Sequence, residues 1–245
     1  VKPNQLRIDD GGRVYVRVHS RDSLSVALEA AGLPSPGPVL VIVGGAGGLD
    51  AATRRRLTPL FSDGLAPAID SMGAVAVDGG TDAGVMRLLG DAREASASTF
   101  PLLGVAAEGT VHFPGSASSR SDAADLEPHH THFLLVPGDQ WGDEAPWISA
   151  TASELAGGAS SLTVLVNGGD IAYRDAILSV EAKRPLLVIC GSGRAADEIG
   201  AAILGEPADP RAQRVGASGL ASCVDVDDPV GVGAAVRSAL RAPMN

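Results

Sequence analysis

The segment 184–199, RPLLVICGSGRAADEI, constrains this chain more than any other. Pro185 to Cys190 reads as a buried strand, Gly191-Ser192-Gly193 as a tight turn, and Arg194 as the opening of an Ala-rich helix. The first turn of such a helix carries unpaired N–H groups and the positive end of the helix dipole. Glycines let an anion come close to that backbone, and Arg194 adds a planar fork of donors. The stretch therefore predicts a binder of a phosphate-bearing small molecule, a nucleotide derivative above all.

The rest of the chain repeats the same grammar. Apolar runs at 39–43, 74–77, 102–107, 132–136, 162–166 and 221–226 alternate with helical patterns. An alternation of this kind makes a mostly parallel sheet with helices on both faces, a Rossmann-like three-layer α/β fold. VYVRV (14–18) reads as an edge strand, followed by a helix capped by Asp22 or Ser23 with Val26, Leu28 and Ala31 inward. The expected organisation is a single domain over 1–245: an N-terminal strand–helix extension (1–38), a core (39–205) and a C-terminal strand–helix (206–245). Residues 110–125 are polar and read as a mobile surface loop.

Glycine turns follow four of the strands, at 44–48, 79–84, 168–169 and 191–193. Ligands of open parallel sheets sit outside the carboxyl ends of the strands, near the point where strand order reverses. The recurrence thus concentrates Gly44, Gly45, Gly47, Gly79, Gly80, Thr81, Gly168, Gly169, Gly191, Ser192, Gly193 and Arg194 as ligand-binding candidates. The 44–48 turn lacks the Lys and Ser/Thr of a P-loop. Residues 191–196 fit the G-x-G-x-x-A dinucleotide fingerprint. Asp225 and Asp227 come too late after it for a ribose-binding acid, which disfavours hydride transfer.

Trp141, beside Gly142 after a strand, offers a platform for stacking a base as well as for core packing. Asp139, Asp143 and Glu144 form an exposed acidic turn, and Asp82 suits a helix cap. These carboxylates, with His132, are the groups a hydrolytic reading would use: Asp82, His132, Asp139 and Glu144. His129-His130-Thr131-His132 lacks the further ligands that zinc needs, so no metal ligand is assigned.

The net charge of −10 argues against nucleic acid and anionic membranes as partners. Cys190 and Cys223 make no disulfide framework, and Cys190 reads as a core cysteine. With no secretory signal and no apolar run of membrane length, a cytoplasmic location is expected. Val1 is not an initiator residue, which suggests a trimmed chain or one part of a longer polypeptide.

The succession GGAGGL, DGGTDAGVM, HHTHFLLV, VNGGD and GSGRAADEI resembles the SLOG superfamily, in the branch found at the N-terminus of TRPM channels and in stand-alone prokaryotic LSDAT proteins. The resemblance runs from about Val39 to Ile199. It implies a Rossmann-like fold and a non-enzymatic sensor or binding domain for ADP-ribose or a related NAD metabolite, with magnesium left open as a companion of the diphosphate. It also implies roles for Gly44-Gly45, Gly79-Gly80-Thr81 and Gly191 to Arg194, and places Trp141 where the channels have Tyr. The channels' arginine in the next helix is missing from Ala145 to Ser149. The related LOG hydrolases carry a catalytic Glu in PGGxGTxxE, which the Gly79 turn lacks. A hydrolase of an N-glycosidic or phosphoanhydride bond is the alternative, and a ligand-free assembly module is the third. A homo-oligomer, or fusion to an effector or membrane module, completes the expected partners.

Overall fold

The structure, a computed structural model, describes residues 7–47, 49–114 and 120–241. In chain order the elements are β1 (Arg7–Asp10), β2 (Arg13–Arg17), α1 (Leu24–Ala31), β3 (Val39–Gly44), α2 (Ala51–Pro59), α3 (Ala66–Ser71), β4 (Val75–Asp78), α4 (Gly84–Ala95) and β5 (Leu102–Ala107). There follow β6 (Val111–His112), β7 (Ala124–Asp125), β8 (His132–Val136), α5 (Ala145–Ala156), β9 (Ser161–Val166), α6 (Asp170–Glu181), β10 (Leu186–Cys190), α7 (Arg194–Ile203), α8 (Pro210–Gly216), β11 (Ala221–Asp225) and α9 (Pro229–Arg241).

Nine strands form one sheet in the order β1-β2-β8-β5-β4-β3-β9-β10-β11. Every pairing from β2 to β11 is parallel, and only β1 runs antiparallel to its neighbour. The chain lays down β3, β4, β5 and β8 in one direction, then returns to place β9 on the other side of β3. Strand order therefore reverses between β3 and β9, which opens a crevice at their carboxyl ends.

Alternation along the central strands divides the core in two. Val39, Val41 and Val43 face α1 and α5 to α8, whereas Leu40 and Ile42 face α2 to α4 and α9. Strands buried on both faces read as continuous apolar runs, which is why VLVIV carries no polar residue. Between α2 and α3, Leu60–Leu65 is π-wound, so that 51–71 is one nearly continuous helix.

Four local expectations are revised. β2 lies inside the sheet, because β1 hairpins onto its outer side. Ser23 is the N-cap of α1 and Val26 points outward at 52% exposure, its place inside being taken by Leu24 and Ala27. The 110–125 segment carries the parallel β6–β7 pair, with Thr110 and Val111 buried; its residues 115–119, like Gly48 of the first glycine turn, lie outside the described residues. Cys190 is half-buried and is joined to Cys223 by a disulfide, the strands β10 and β11 bringing their Cα atoms to 5.9 Å.

Candidate functional site

β4, β3, β9 and β10 are adjacent in the sheet, so the four glycine turns line up along one rim. Close backbone packing explains some of these glycines, Gly44 and Gly84 among them. At Gly44 a Cβ would collide with the Val166 carbonyl of the neighbouring strand. At Gly84 (φ 51°) it would collide with the Gly45 carbonyl, which accepts the Val85 N–H at 3.1 Å. The β9 and β10 turns are tied through Asn167, whose Nδ2 donates to the Ser192 carbonyl at 2.6 Å and whose Oδ1 accepts the Gly168 N–H at 2.8 Å.

A crevice of about 510 Å³ opens at the switch point. Its walls include Gly44 to Gly47 after β3, Gly79 after β4, Gly169 to Ala172 at the start of α6, and Arg194. Ile42, Val43, Met86, Ile148 and Ile171 make it largely apolar, and Trp141 stands at the mouth, 37% exposed. Trp141 Nε1 donates to Asp122 Oδ2 at 3.4 Å. Arg120, bound to the same carboxylate at 2.8 Å, holds Asp122 down at about 2. Arg194, exposed and at φ 55°, lays its guanidinium over Gly169 and reaches the Gly47 carbonyl at 3.5 Å. The arginine thus bridges two of the glycine turns across the opening.

The remaining candidates divide around this crevice. Gly191, Ser192 and Gly193 line a second hollow of about 360 Å³ with Arg56, Asn167 and Val226. Ser192 is buried, its hydroxyl accepting the Asn167 N–H at 2.8 Å. Gly168 lines a third hollow with Gly169 and Arg194. Gly80 and Thr81 lie beneath 125–127: Gly80 accepts the Glu127 N–H at 2.9 Å, and Thr81 bridges Leu126. Of the hydrolytic set, Glu144 alone lines the main crevice. Asp82 is paired with Arg87 at 2.6 Å, Asp139 lies on the exposed turn, and His132 is joined to the Thr131 hydroxyl at 2.7 Å.

Asp175, from α6, joins Glu144 in lining the crevice. Its Oδ1 is sealed from solvent and has no hydrogen-bond partner among the described residues. Burial, with Glu144 nearby, raises the Asp175 carboxyl to about 7. Glu144 is also raised, chiefly by burial, although its carboxylate accepts the Gly142 N–H at 2.9 Å. Reading the Gly-Gly-x-Gly-Thr-x-x-Glu spacing from Gly168 instead of Gly79 brings its acidic position to residue 175. Ile171 and Ala172 stand where that pattern has Gly and Thr, so the sequence alone does not single out Asp175. The cation at the aromatic turn comes from α6 as well, where Arg174 donates to the Gly142 carbonyl at 2.9 Å.

A buried network holds the Gly79–Gly80 turn from behind. Asp78 Oδ1 accepts the Gly80 N–H at 2.7 Å and lies 2.8 Å from His130 Nε2, while His130 Nδ1 lies 2.7 Å from Glu127 Oε2. All three side chains are buried. Burial alone would depress the imidazole, but the two carboxylates, Asp78 first, outweigh it and raise His130 to about 9. Asp91, Glu127 and His129 bring ligand atoms within 4.8 Å of one another, the Glu127–His129 contact being 2.7 Å.

No helix among the described residues is long and apolar enough to cross a membrane. The sequence pattern of the family described as "SLOG in TRPM, prokaryote" matches residues 37–233. Among curated proteins, the chain is 28% identical over 224 residues to transient receptor potential cation channel subfamily M member 2 of Mus musculus, covering 76% of this chain and 15% of the channel. It is 27% identical over 227 residues to subfamily M member-like 2 of Nematostella vectensis, covering 76% of this chain and 14% of that protein. The chain therefore spans a small fraction of these relatives. With the family pattern covering most of its length, the chain belongs to the prokaryotic SLOG domains of TRPM type.

Proposed function

We propose that the crevice between β3 and β9 binds a nucleotide derivative of the ADP-ribose kind, and that the domain works as a ligand sensor. SLOG domains bind nucleotide-derived ligands. The observation that carries the reading for this chain is the placement of Arg194 across the Gly47 and Gly169 turns, opposite Trp141 and an apolar wall. A diphosphate fits the glycine backbone and the guanidinium, and a base fits the aromatic mouth. The test is thermal unfolding against ADP-ribose, its cyclic form, NAD, AMP and ATP, with and without magnesium. A ligand at 100 times its Kd adds roughly 2.7 kcal/mol. A shift with ADP-ribose or its cyclic form supports the reading, and no shift with any of the five overturns it.

A second reading rests on Asp175 and Glu144. Two carboxyl groups with raised affinity for protons, one with an oxygen that has no partner among the described residues, suit general acid–base work on an N-glycosidic bond of the same ligand. Release of a free base or ribose phosphate on incubation, abolished in Asp175→Asn, would favour hydrolysis over sensing.

A further inference from the structure

The disulfide between Cys190 and Cys223 crosses from β10 to the edge strand β11. Its two ends differ in access. Cys223 is exposed, whereas Cys190 is half-buried and its sulfur rests on α7, where a Cβ at Gly200 would stand 2.6 Å from Sγ. β11 is paired on one side only, and its residues are half-buried or exposed throughout. The covalent tie therefore acts on a lightly packed element.

That element shares a wall with a glycine turn of the rim. Cys190 runs directly into Gly191-Ser192-Gly193, and its carbonyl accepts the N–H of Val226 at 2.9 Å. Val226 lines the second hollow together with those same three residues. The turn is further held by Arg56, which donates to the Gly191 carbonyl at 2.9 Å, and by Asp197, which accepts the Gly191 N–H at 2.7 Å. A shift of β11 would reach the turn through Val226 and through Asp227, the partner of Arg56 at 2.7 Å.

We infer that Cys190–Cys223 is a thiol–disulfide exchange site for a dithiol reductant, and that its redox state sets the order of the Gly191–Arg194 turn. Exchange starts at the exposed residue, Cys223. A thiolate of the dithiol attacks Cys223 Sγ, the Cys190–Cys223 bond breaks, and Cys190 leaves as a thiolate that takes up a proton. The second thiol of the reductant, as its thiolate, then attacks the reductant's own sulfur in the mixed disulfide. Cys223 leaves as a thiolate and is protonated. The protein gains two electrons and two protons, and the dithiol is oxidised to its cyclic disulfide. A dithiol completes both steps in one encounter, which suits a face where exposed Asp225 would repel a second incoming thiolate.

The test uses the full chain, oxidised and without ligand, with dithiothreitol as the probe, so failure of the nucleotide reading leaves it intact. Alkylation with iodoacetamide in denaturant, read by intact mass, is expected to add no label before reduction and a label at both cysteines after treatment of the folded protein. Amide hydrogen exchange across 191–194 and 221–226 is expected to be at least about threefold faster in the reduced protein. The double variant Cys190→Ser/Cys223→Ser should show the fast rate with or without dithiothreitol. Free thiols in the oxidised protein, reduction that requires prior unfolding, or equal exchange in the two states would each overturn the inference.

Discussion

The side-chain amide of Asn167 donates to the Ser192 carbonyl at 2.6 Å, and the Ser192 hydroxyl accepts the Asn167 N–H at 2.8 Å. This reciprocal pair fastens the turn after β9 to the turn after β10. Asn167 sits at φ 58°, in the left-handed region that asparagine tolerates better than most residues. Its own backbone carbonyl accepts the Ala196 N–H at 3.0 Å, so the start of α7 is fixed to the same residue. The position of Arg194 at the crevice follows from that attachment.

Replacing Asn167 by alanine strands the Ser192 carbonyl and the buried end of the Gly168 N–H, and puts an alanine at positive φ. A loss of about 2–4 kcal/mol is expected. Urea unfolding of Asn167→Ala beside the parent protein measures it, and a change under about 0.5 kcal/mol would show that the two turns are not coupled.

Two glycines separate crowding from backbone strain. Gly84 and Gly73 have nearly equal φ, 51° and 58°, but only at Gly84 would a Cβ strike the backbone of another turn, while nothing lies within 4 Å of one at Gly73. Gly73→Ala should cost about 1 kcal/mol and Gly84→Ala at least about 3 kcal/mol. Equal losses would mean that the β3 and β4 turns yield to each other readily.

The layered fold was legible because the central strands are buried on both faces. VLVIV and LLVIC have no polar residue to confuse their period, LTVLV has only the buried Thr163, and each is followed within two residues by a glycine at positive φ, Gly44, Gly191 and Gly168. β1, β6, β7 and α8 were missed, being short or polar. The glycine turns were legible as a group, but their division among separate hollows was not, since it depends on which side of the rim each loop leans. Asp175 looked like an ordinary polar residue of an amphipathic helix; only the fold shows that it shares the crevice with Glu144 and that its Oδ1 is sealed. The cysteines could not be paired from a spacing of 33 residues, because their contact is created by the β10–β11 register.

Arg194 carries the ligand reading and is exposed in the structure. Arg194→Ala should weaken nucleotide binding by at least about 1.5 kcal/mol, the loss expected for a charge-assisted pair. Calorimetry with the ligand found in the unfolding screen measures the difference. Unchanged affinity would remove Arg194 from the site.

His130 predicts a pH dependence of stability at the alkaline side. Its folded-state value of about 9 lies above the ordinary 6.5, so the stabilisation is complete below pH 6.5 and is lost as pH rises through 9. The urea midpoint should therefore fall between pH 6.5 and pH 9.5. NMR of the imidazole should find His130 still protonated at pH 8, and a neutral ring at that pH would refute the assignment.

Asp175 predicts a loss of stability in the same direction but over a lower pH window, because it is a carboxyl kept neutral. The folded chain holds this proton up to about pH 7, whereas the unfolded chain releases it near 3.8. Stability is therefore surrendered as pH rises from 3.8 to 7, and above 7 the folded protein carries an anion beside Glu144 whose Oδ1 is sealed from solvent with no partner among the described residues. Asp175→Asn cannot ionise, so it should unfold close to the parent at pH 4 and be more stable at pH 8 by at least ~1 kcal/mol, about 2–4 °C in Tm for a chain of this size. The same variant separates the two functional readings. An amide retains the shape of the neutral acid and can still donate a hydrogen bond, so a sensor should bind its nucleotide within about threefold of the parent. A hydrolase that moves a proton through Asp175 should bind equally well but lose turnover by about 100-fold or more.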